Sequence, residues 1–204
     1  MERDILTKSQ RKALEIISET SISKDFYLAG GTALALQLRH RRSDDFDFFS
    51  AKQFQPDDIS DVLKKHGRVN QKYKDNRTLH LQLLNVDVSF FHYDYPLLSK
   101  PAIEENNIML AGIPDIAAMK VAAISHRGSK KDFIDLYVIC NEHFSLTKAL
   151  TFFEKKYKPL LHDYYHIQSS LVYFEDAEQQ AMPKMITKVS WKEVKKFFEE
   201  EVKK

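Results

Sequence analysis

The sequence predicts an α+β protein: a short mixed sheet with flanking helices, followed by a helical C-terminal half. Three observations carry this expectation. Phe26-Tyr27-Leu28-Ala29 reads as a buried strand that Gly30-Gly31 ends, with a helix from Thr32 to Leu38 behind it. Asp44 to Phe49 alternates acid and aromatic, the period of a strand with one buried face. Beyond Pro114 the strand signal fades and apolar residues recur at helical spacing.

Each element follows in order. The Gly-Gly turn lets a ligand approach a helix start whose free N–H groups favour an anion of phosphate size. Thr32 is the third residue of that turn. Arg39-His40-Arg41-Arg42 then precedes the acidic strand. Such a cationic cluster is ordinarily solvated surface, but this position also suits a triphosphate or an RNA backbone. Ser43 shares a face with Asp45 if the strand begins that early, and either bonds a phosphate or simply ends the loop. Asp44 points the other way. Arg68 to Lys74 and Thr78 to Leu84 read as a hairpin around Asp75-Asn76, and Asn85 to Phe91 as a further strand. Pro96, Lys100-Pro101 and Glu104 to Asn107 mark a surface loop. Pro114 suits a first helical turn, with Asp115 favourable beside the helix dipole. Further helices are expected at about 130–142, 146–157, 160–180 and 190–203. The change of character near Gly112 divides the chain into domains at 1–112 and 113–204.

Asp45 and Asp47 share one strand face while Phe46 and Phe48 share the other. Two carboxylates about 6–7 Å apart along a strand repel unless a cation lies between them. Mg²⁺ is the natural candidate, being hard, oxygen-seeking and commonly bound with substrate phosphates. Asp87, between two valines, supplies the third carboxylate that a two-metal phosphoryl-transfer site needs. It reads equally as a metal ligand or as a general base.

Gly30-Gly31-Thr32, the spacer to Asp44, Asp45-Phe46-Asp47-Phe48 and the later lone Asp87 together resemble the nucleotidyltransferase superfamily with the polymerase-β-like palm. A closer resemblance is to the AbiEii/AbiGii toxin family of bacterial nucleotidyltransferases. It is carried by Leu38 to Ser50, by Asp115 to Arg127, and by Lys131-Asp132-Phe133-Ile134-Asp135-Leu136. The resemblance runs from about residue 10 to the C-terminus. It implies a nucleotidyltransferase palm followed by a helical half, and an enzyme that moves an NMP from an NTP to an acceptor hydroxyl. It implies two Mg²⁺ ions on Asp45, Asp47 and Asp87, with Lys120 reaching the nucleotide phosphates beside Gly30, Gly31 and Thr32. Arg127, two helical turns beyond Lys120, joins that candidate site. Asp132 either caps its helix, pairs with Lys120 or Arg127, or acts directly, whereas ion pairing is the reading for Asp135. The family further implies a toxin with an antitoxin protein as partner and the tRNA 3′ end as RNA acceptor. A small-molecule acceptor, as in antibiotic-modifying enzymes, and a nucleotide-binding regulator without transfer are the alternatives.

Composition agrees. The 204 residues are 43% apolar, include fourteen phenylalanines, and are 29% charged, enough for a core and a hydrated surface. A net charge of +2 gives no global field for nucleic acid, so RNA binding must rest on local groups such as Lys64-Lys65 and Lys72, Lys74 and Arg77. One cysteine, Cys140, excludes an internal disulfide and reads as a small buried hydrophobe. After the polar opening Met1 to Asp4 no apolar run has the length of a signal or membrane span, so the expectation is cytoplasmic with no membrane partner. His162 and His166 have zinc-like spacing but lack the metalloprotease glutamate and a third ligand, and read as surface or packing residues. Trp191, Val194, Phe197 and Phe198 form a core-facing stripe, and Tyr173 to Ala177 a packing segment.

Overall fold

The computed structural model describes residues 5–103, 107–158 and 161–204. Residues 1–4, 104–106, 159 and 160, and the side chain of His162, lie outside the described residues, so the polar opening, part of the surface loop and the His162 reading fall there.

Helix α1 (Lys8–Ser18) opens the chain, held by a capping box in which Thr7 and Gln10 each bond the other's backbone N–H. A short α2 (Ile22–Asp25) leads to β1 (Tyr27–Ala29), and α3 (Gly30–Leu38) follows without an intervening loop. Arg39 ends α3 in the left-handed region at φ 53°. Strand β2 is Phe46–Ser50, so Asp45 stands at its mouth and Ser43 in the preceding loop rather than in the strand. Helix α4 (Pro56–Lys64) has proline in its first turn with Asp57 and Asp58, start signals that the sequence analysis left unread, as it did the Thr7 cap. The hairpin is β3 (Val69–Lys74) and β4 (Thr78–Leu83), and β5 is Val86–His92. Two short strands, β6 (Ala102–Ile103) and β7 (Met109–Leu110), had no sequence signal.

Among the described residues the strands form one seven-stranded sheet in the order β3-β4-β5-β2-β1-β7-β6. Its two parallel pairs are β1 with β7 and β2 with β5. Alternation separates the faces. Phe46, Phe48, Val88, Phe90, Leu79 and Leu81 are buried and join one core with Leu14 and Ile17 of α1 and Ile59 and Leu63 of α4. Phe48 stacks on Phe90 at 5.3 Å between ring centres, in register across the β2–β5 pair. The other face, carrying Asp47, Phe49, Ser89, Phe91 and His80, remains partly open to solvent.

The helical half follows. Helix α5 (Ile113–Arg127) starts after Gly112 with Pro114 in its first turn, and ends at Gly128 in the left-handed region. Helices α6 (Lys130–Glu142) and α7 (Leu146–Tyr157) span the expected residues. The helix expected over 160–180 is instead α8 (Leu161–Leu171), a turn, and α9 (Glu175–Glu178). The break lets Phe174 turn inward against Phe133 and Trp191, at 5.2 and 5.8 Å. Helix α10 (Trp191–Glu201) begins with a second capping box, Ser190 with Glu193, and packs Phe198 on Phe133.

Between α9 and α10 the chain returns to the loop after α3. Ile186 and Thr187 donate backbone N–H groups to the His40 carbonyl at 2.8 and 3.1 Å, and Arg42 donates to the Lys184 carbonyl at 2.9 Å. Arg41 and Met185 form an isolated antiparallel bridge. The loop leading to the acidic strand is thereby anchored by residues far along the chain.

Candidate active site

Gly30, Gly31 and the acidic strand are in close contact. Gly30 has φ +67°, and a Cβ there would lie 3.0 Å from Asp47 Oδ2. A Cβ on Gly31 would collide with Arg41 Nη2 and lie 3.1 Å from Ser43 Oγ. The glycines let the start of α3 press against the carboxylate, the guanidinium and the hydroxyl together. Thr32 is buried, and its hydroxyl donates to the Asp45 carbonyl, fixing the strand mouth. The Ser43 carbonyl accepts from Gln10 of α1 at 2.8 Å.

Asp45 is half-exposed and Lys131 Nζ stands 3.9 Å from its Oδ2. Burial, and then the neighbouring charge of Asp45, raises the Asp47 carboxyl above its ordinary value, with Lys120, Lys131 and Arg127 opposing. Asp87 is exposed, one register step from the Phe46–Val88 pair, and its carboxylate accepts from Lys72. Among the described residues no three His, Cys, Asp or Glu side chains converge as a metal cage. The Asp45–Asp47 pair nevertheless suits a hard divalent ion, because such a charge relieves the electrostatic cost that raises Asp47. Asp87 lies on the same sheet face as that pair, with its carboxylate held by Lys72.

Beneath Asp47 lies a buried ionic network. Asp135 is fully buried and accepts from His40 Nε2 at 2.7 Å, Arg41 Nε at 2.6 Å and Arg41 Nη2 at 2.7 Å, with Lys120 Nζ at 2.6 Å. Asp132, also fully buried, accepts from Lys120 Nζ at 2.7 Å, Arg127 Nε at 2.8 Å and Ser129 Oγ at 2.6 Å. Burial alone would raise both carboxyls. Lys120 and Arg127 hold Asp132, and Lys120, Arg41 and His40 hold Asp135, well below the usual carboxylate range. Lys120 thus has its ammonium between two carboxylates, and burial is outweighed so that its pKa is raised. Two members of the 39–42 cluster, His40 and Arg41, are buried rather than solvated, because Asp135 requires them.

One hollow adjoins Asp45, and a cleft reaches the ionic network through Arg127. The hollow, of about 100 Å³, is lined by Arg42, Ser43, Asp45, Lys131 and Lys184. The larger cleft, of about 580 Å³, has Tyr93, Tyr95, Tyr157, His126, Arg127 and His166 among its walls. Tyr95 meets Tyr157 edge-on at 4.6 Å, and Tyr93 and Tyr157 share a hydroxyl contact. Burial pushes both of the latter phenols up. Arg127 joins cleft and network, its side chain 59% exposed. Sequence reasoning gave Lys131 no role at the site and missed Lys184 and these tyrosines. Lys131 was findable beside Asp132, whereas Lys184 and the tyrosines sit in no motif. His166 bonds the Ser125 carbonyl at 2.9 Å, and burial raises the Cys140 thiol to about 12.

A paired-carboxylate strand facing a glycine-started helix, on a short mixed sheet followed by helices, defines a nucleotidyltransferase. The chain belongs to the family of nucleotidyl transferase AbiEii toxins of type IV toxin–antitoxin systems, whose sequence profile matches residues 12–204. It is 45% identical to the uncharacterized protein aq_aa25 of Aquifex aeolicus, over 97% of this chain and 96% of that protein. Solved structures share the fold. The crystal structure of a "putative nucleotidyltransferase from H. pylori" matches with TM-score 0.60 and 19% identity, over 96% of this chain and 91% of that one. MenT4, a nucleotidyltransferase toxin from Mycobacterium tuberculosis, matches with TM-score 0.56 and 14% identity, over 93% and 80%. No helix among the described residues is long and apolar enough to cross a membrane.

Proposed function

We propose that this enzyme transfers an NMP from an NTP to the terminal hydroxyl of an RNA, with the tRNA 3′ end as acceptor, as a cytoplasmic toxin restrained by an antitoxin protein. The observation that carries the reading is Asp47 pressed against Gly30, with Asp45 as its neighbouring charge and Lys120, Lys131 and Arg127 opposing that charge. The triphosphate is read onto the α3 start, Ser43 and the hollow of Arg42, Lys131 and Lys184, where backbone N–H groups and cations favour an anion. Arg127 would hold the inner phosphates and the tyrosine-lined cleft the base. Thr32 fixes Asp45, and Lys120 lends its charge to Asp47 while locking Asp132 and Asp135. Mg²⁺ on Asp45 and Asp47, with a second ion shared by Asp87, would supply charge neutralisation of the phosphates and a lowered pKa for the acceptor hydroxyl. The acceptor oxygen forms its bond to the α-phosphorus as the bond to the β-phosphate oxygen breaks, and pyrophosphate leaves. The hydroxyl proton passes to solvent or to Asp87.

The test is transfer of α-labelled phosphate from each of the four NTPs to total bacterial tRNA with Mg²⁺, beside an Asp45→Ala control. Label on RNA with the intact protein alone supports the reading. Label on a small hydroxyl compound, or NTP binding without transfer, replaces it.

A further inference from the structure

The open face of the sheet carries a row of rings that runs from Tyr73 to Tyr93 of the cleft, and its members from Tyr73 to Phe49 have no part in the transfer chemistry. Tyr73 lies 5.8 Å from His80, His80 5.4 Å from Phe91, Phe91 5.0 Å from Phe49, and Phe49 5.1 Å from Tyr93. The register sets this row beside the acids. Asp47 pairs with Ser89, Ser89 with His80, and His80 with Tyr73, so the ring of His80 is two strand spacings, about 10 Å, from Asp47. Phe49 and Phe91 occupy the next row on the same face.

Cross-strand aromatic pairs stabilise a sheet by themselves, but Tyr73 does not fit that explanation alone. Asn70 opposes Gln82 and Gln71 opposes Leu81, so simple alternation would put Tyr73 on the Leu81 side. A bulge at Lys72 instead sets Tyr73 opposite His80, on the open face, where it is 52% exposed. The Tyr73 hydroxyl donates to Asp75 Oδ2 at 2.8 Å, which holds the ring in place while much of it stays open to solvent and to another planar group. The charge around it is one-sided. Residues 64–80 hold six lysines and arginines against one acid, Asp75, in a chain whose net charge is only +2. Lys72, Lys74 and Arg77 are paired to Asp87, Asp57 and Asp94 by exposed contacts, which are weak and exchange readily for phosphate.

We propose that this face is the acceptor platform: the unpaired 3′ end of an RNA lies across Tyr73, His80, Phe91 and Phe49, its bases stacked on the rings and its terminal hydroxyl delivered to Asp47. Stacking serves any base, and basic flanks track the backbone, the pattern of single-strand binding. A phosphate that draws Lys72 away also frees Asp87, so acceptor binding completes the carboxylate trio. The proposal rests on the reading of RNA as acceptor.

Its test needs no turnover. Binding is measured by fluorescence anisotropy, without NTP, for an RNA hairpin with a short single-stranded 3′ tail and for the same hairpin blunt-ended. The wild-type protein binds the tailed RNA more tightly. Tyr73→Ala lowers that affinity about tenfold, leaves the blunt hairpin unaffected, and Tyr73→Trp restores it. Phe91→Leu repeats the loss, with thermal unfolding showing that each variant is folded. Unchanged affinity for the tailed RNA in both Tyr73→Ala and Phe91→Leu overturns the platform, as does an equal loss on both RNAs. Transfer assays run in parallel separate the two claims. Tailed binding that depends on Tyr73 with no transfer from any NTP leaves the platform standing without the enzyme reading. Transfer to RNA at wild-type rate and KM in Tyr73→Ala does the reverse.

Discussion

Arg41 and Asp135 meet in a buried bidentate pair, Nε to Oδ1 at 2.6 Å and Nη2 to Oδ2 at 2.7 Å, and Gly31 lies against the same guanidinium. Both partners are almost fully removed from water. Gly31→Ala would ordinarily favour a helix. Here its methyl would collide with Arg41 Nη2, which Asp135 holds in place. Breaking a buried pair costs about 3–5 kcal/mol, so urea denaturation should show a loss of that order. A Gly31→Ala protein as stable as wild type would mean that Arg41 is free to shift.

Arg41→Lys keeps the charge but not the two parallel bonds. Its expected cost is a large part of the same 3–5 kcal/mol, read from the same denaturation curves. A neutral result would show that charge alone satisfies Asp135.

Acid stability follows from Asp132 and Asp135. Their folded pKa values lie below the unfolded value of about 3.9. The stability they contribute is therefore complete above about pH 4 and is lost as pH falls towards the folded values. The urea midpoint should decline steeply below about pH 4 without a comparable fall between pH 7 and pH 5.

Asp47 has the opposite sign. Its folded pKa is raised, so its charged form opposes folding above that pKa, and the penalty disappears as pH falls below the unfolded value. Asp47→Asn should raise the melting temperature at pH 7 while abolishing transfer. Mg²⁺ should stabilise the wild-type protein by linkage and leave Asp47→Asn nearly unchanged. Equal Mg²⁺ shifts in both proteins would remove the cation from this strand.

If the donor's base occupies the tyrosine cleft, Tyr95→Ala removes an exposed ring from its wall without disturbing the core. The expected effect is about a tenfold rise in KM for NTP with kcat retained, the signature of binding common to ground and transition states. Steady-state kinetics at saturating acceptor would measure both.

Lys156 and Asp115 form a second fully buried pair at 2.9 Å, and Lys156 also donates to the Pro96 carbonyl at 2.8 Å. Asp115 accepts besides from the Leu98 and Ser99 backbone N–H groups. The pair ties α7, the start of α5 and the loop beyond β5 together. Lys156→Met leaves the buried carboxylate its backbone donors but no counter-charge, and should destabilise by about 3 kcal/mol, measurable by thermal melting.

The sequence by itself determined the elements whose signals are local. Gly30-Gly31 ended β1, alternation in Asp45-Phe46-Asp47-Phe48 assigned opposite faces, and the spacing over 130–142 and 146–157 matched α6 and α7. These follow from periods and start signals contained in a few adjacent residues. The family was legible for a related reason, since its motifs are short and ordered along the chain. Tertiary structure decided what each charge does. His40 and Arg41 looked like solvated cations until Asp135, 94 residues beyond Arg41, buried them. Pairing of Asp132 with Lys120 or Arg127 was legible as one reading, but not that one lysine bridges Asp132 and Asp135. The strap through Lys184 and Ile186, the Lys72–Asp87 contact and the ring row from Tyr73 to Phe49 arise from strand register and chain return. Local sequence sets which face a residue occupies; only the packed fold sets which distant charge or ring it meets there, because desolvation makes a buried ion take whatever partner the topology supplies.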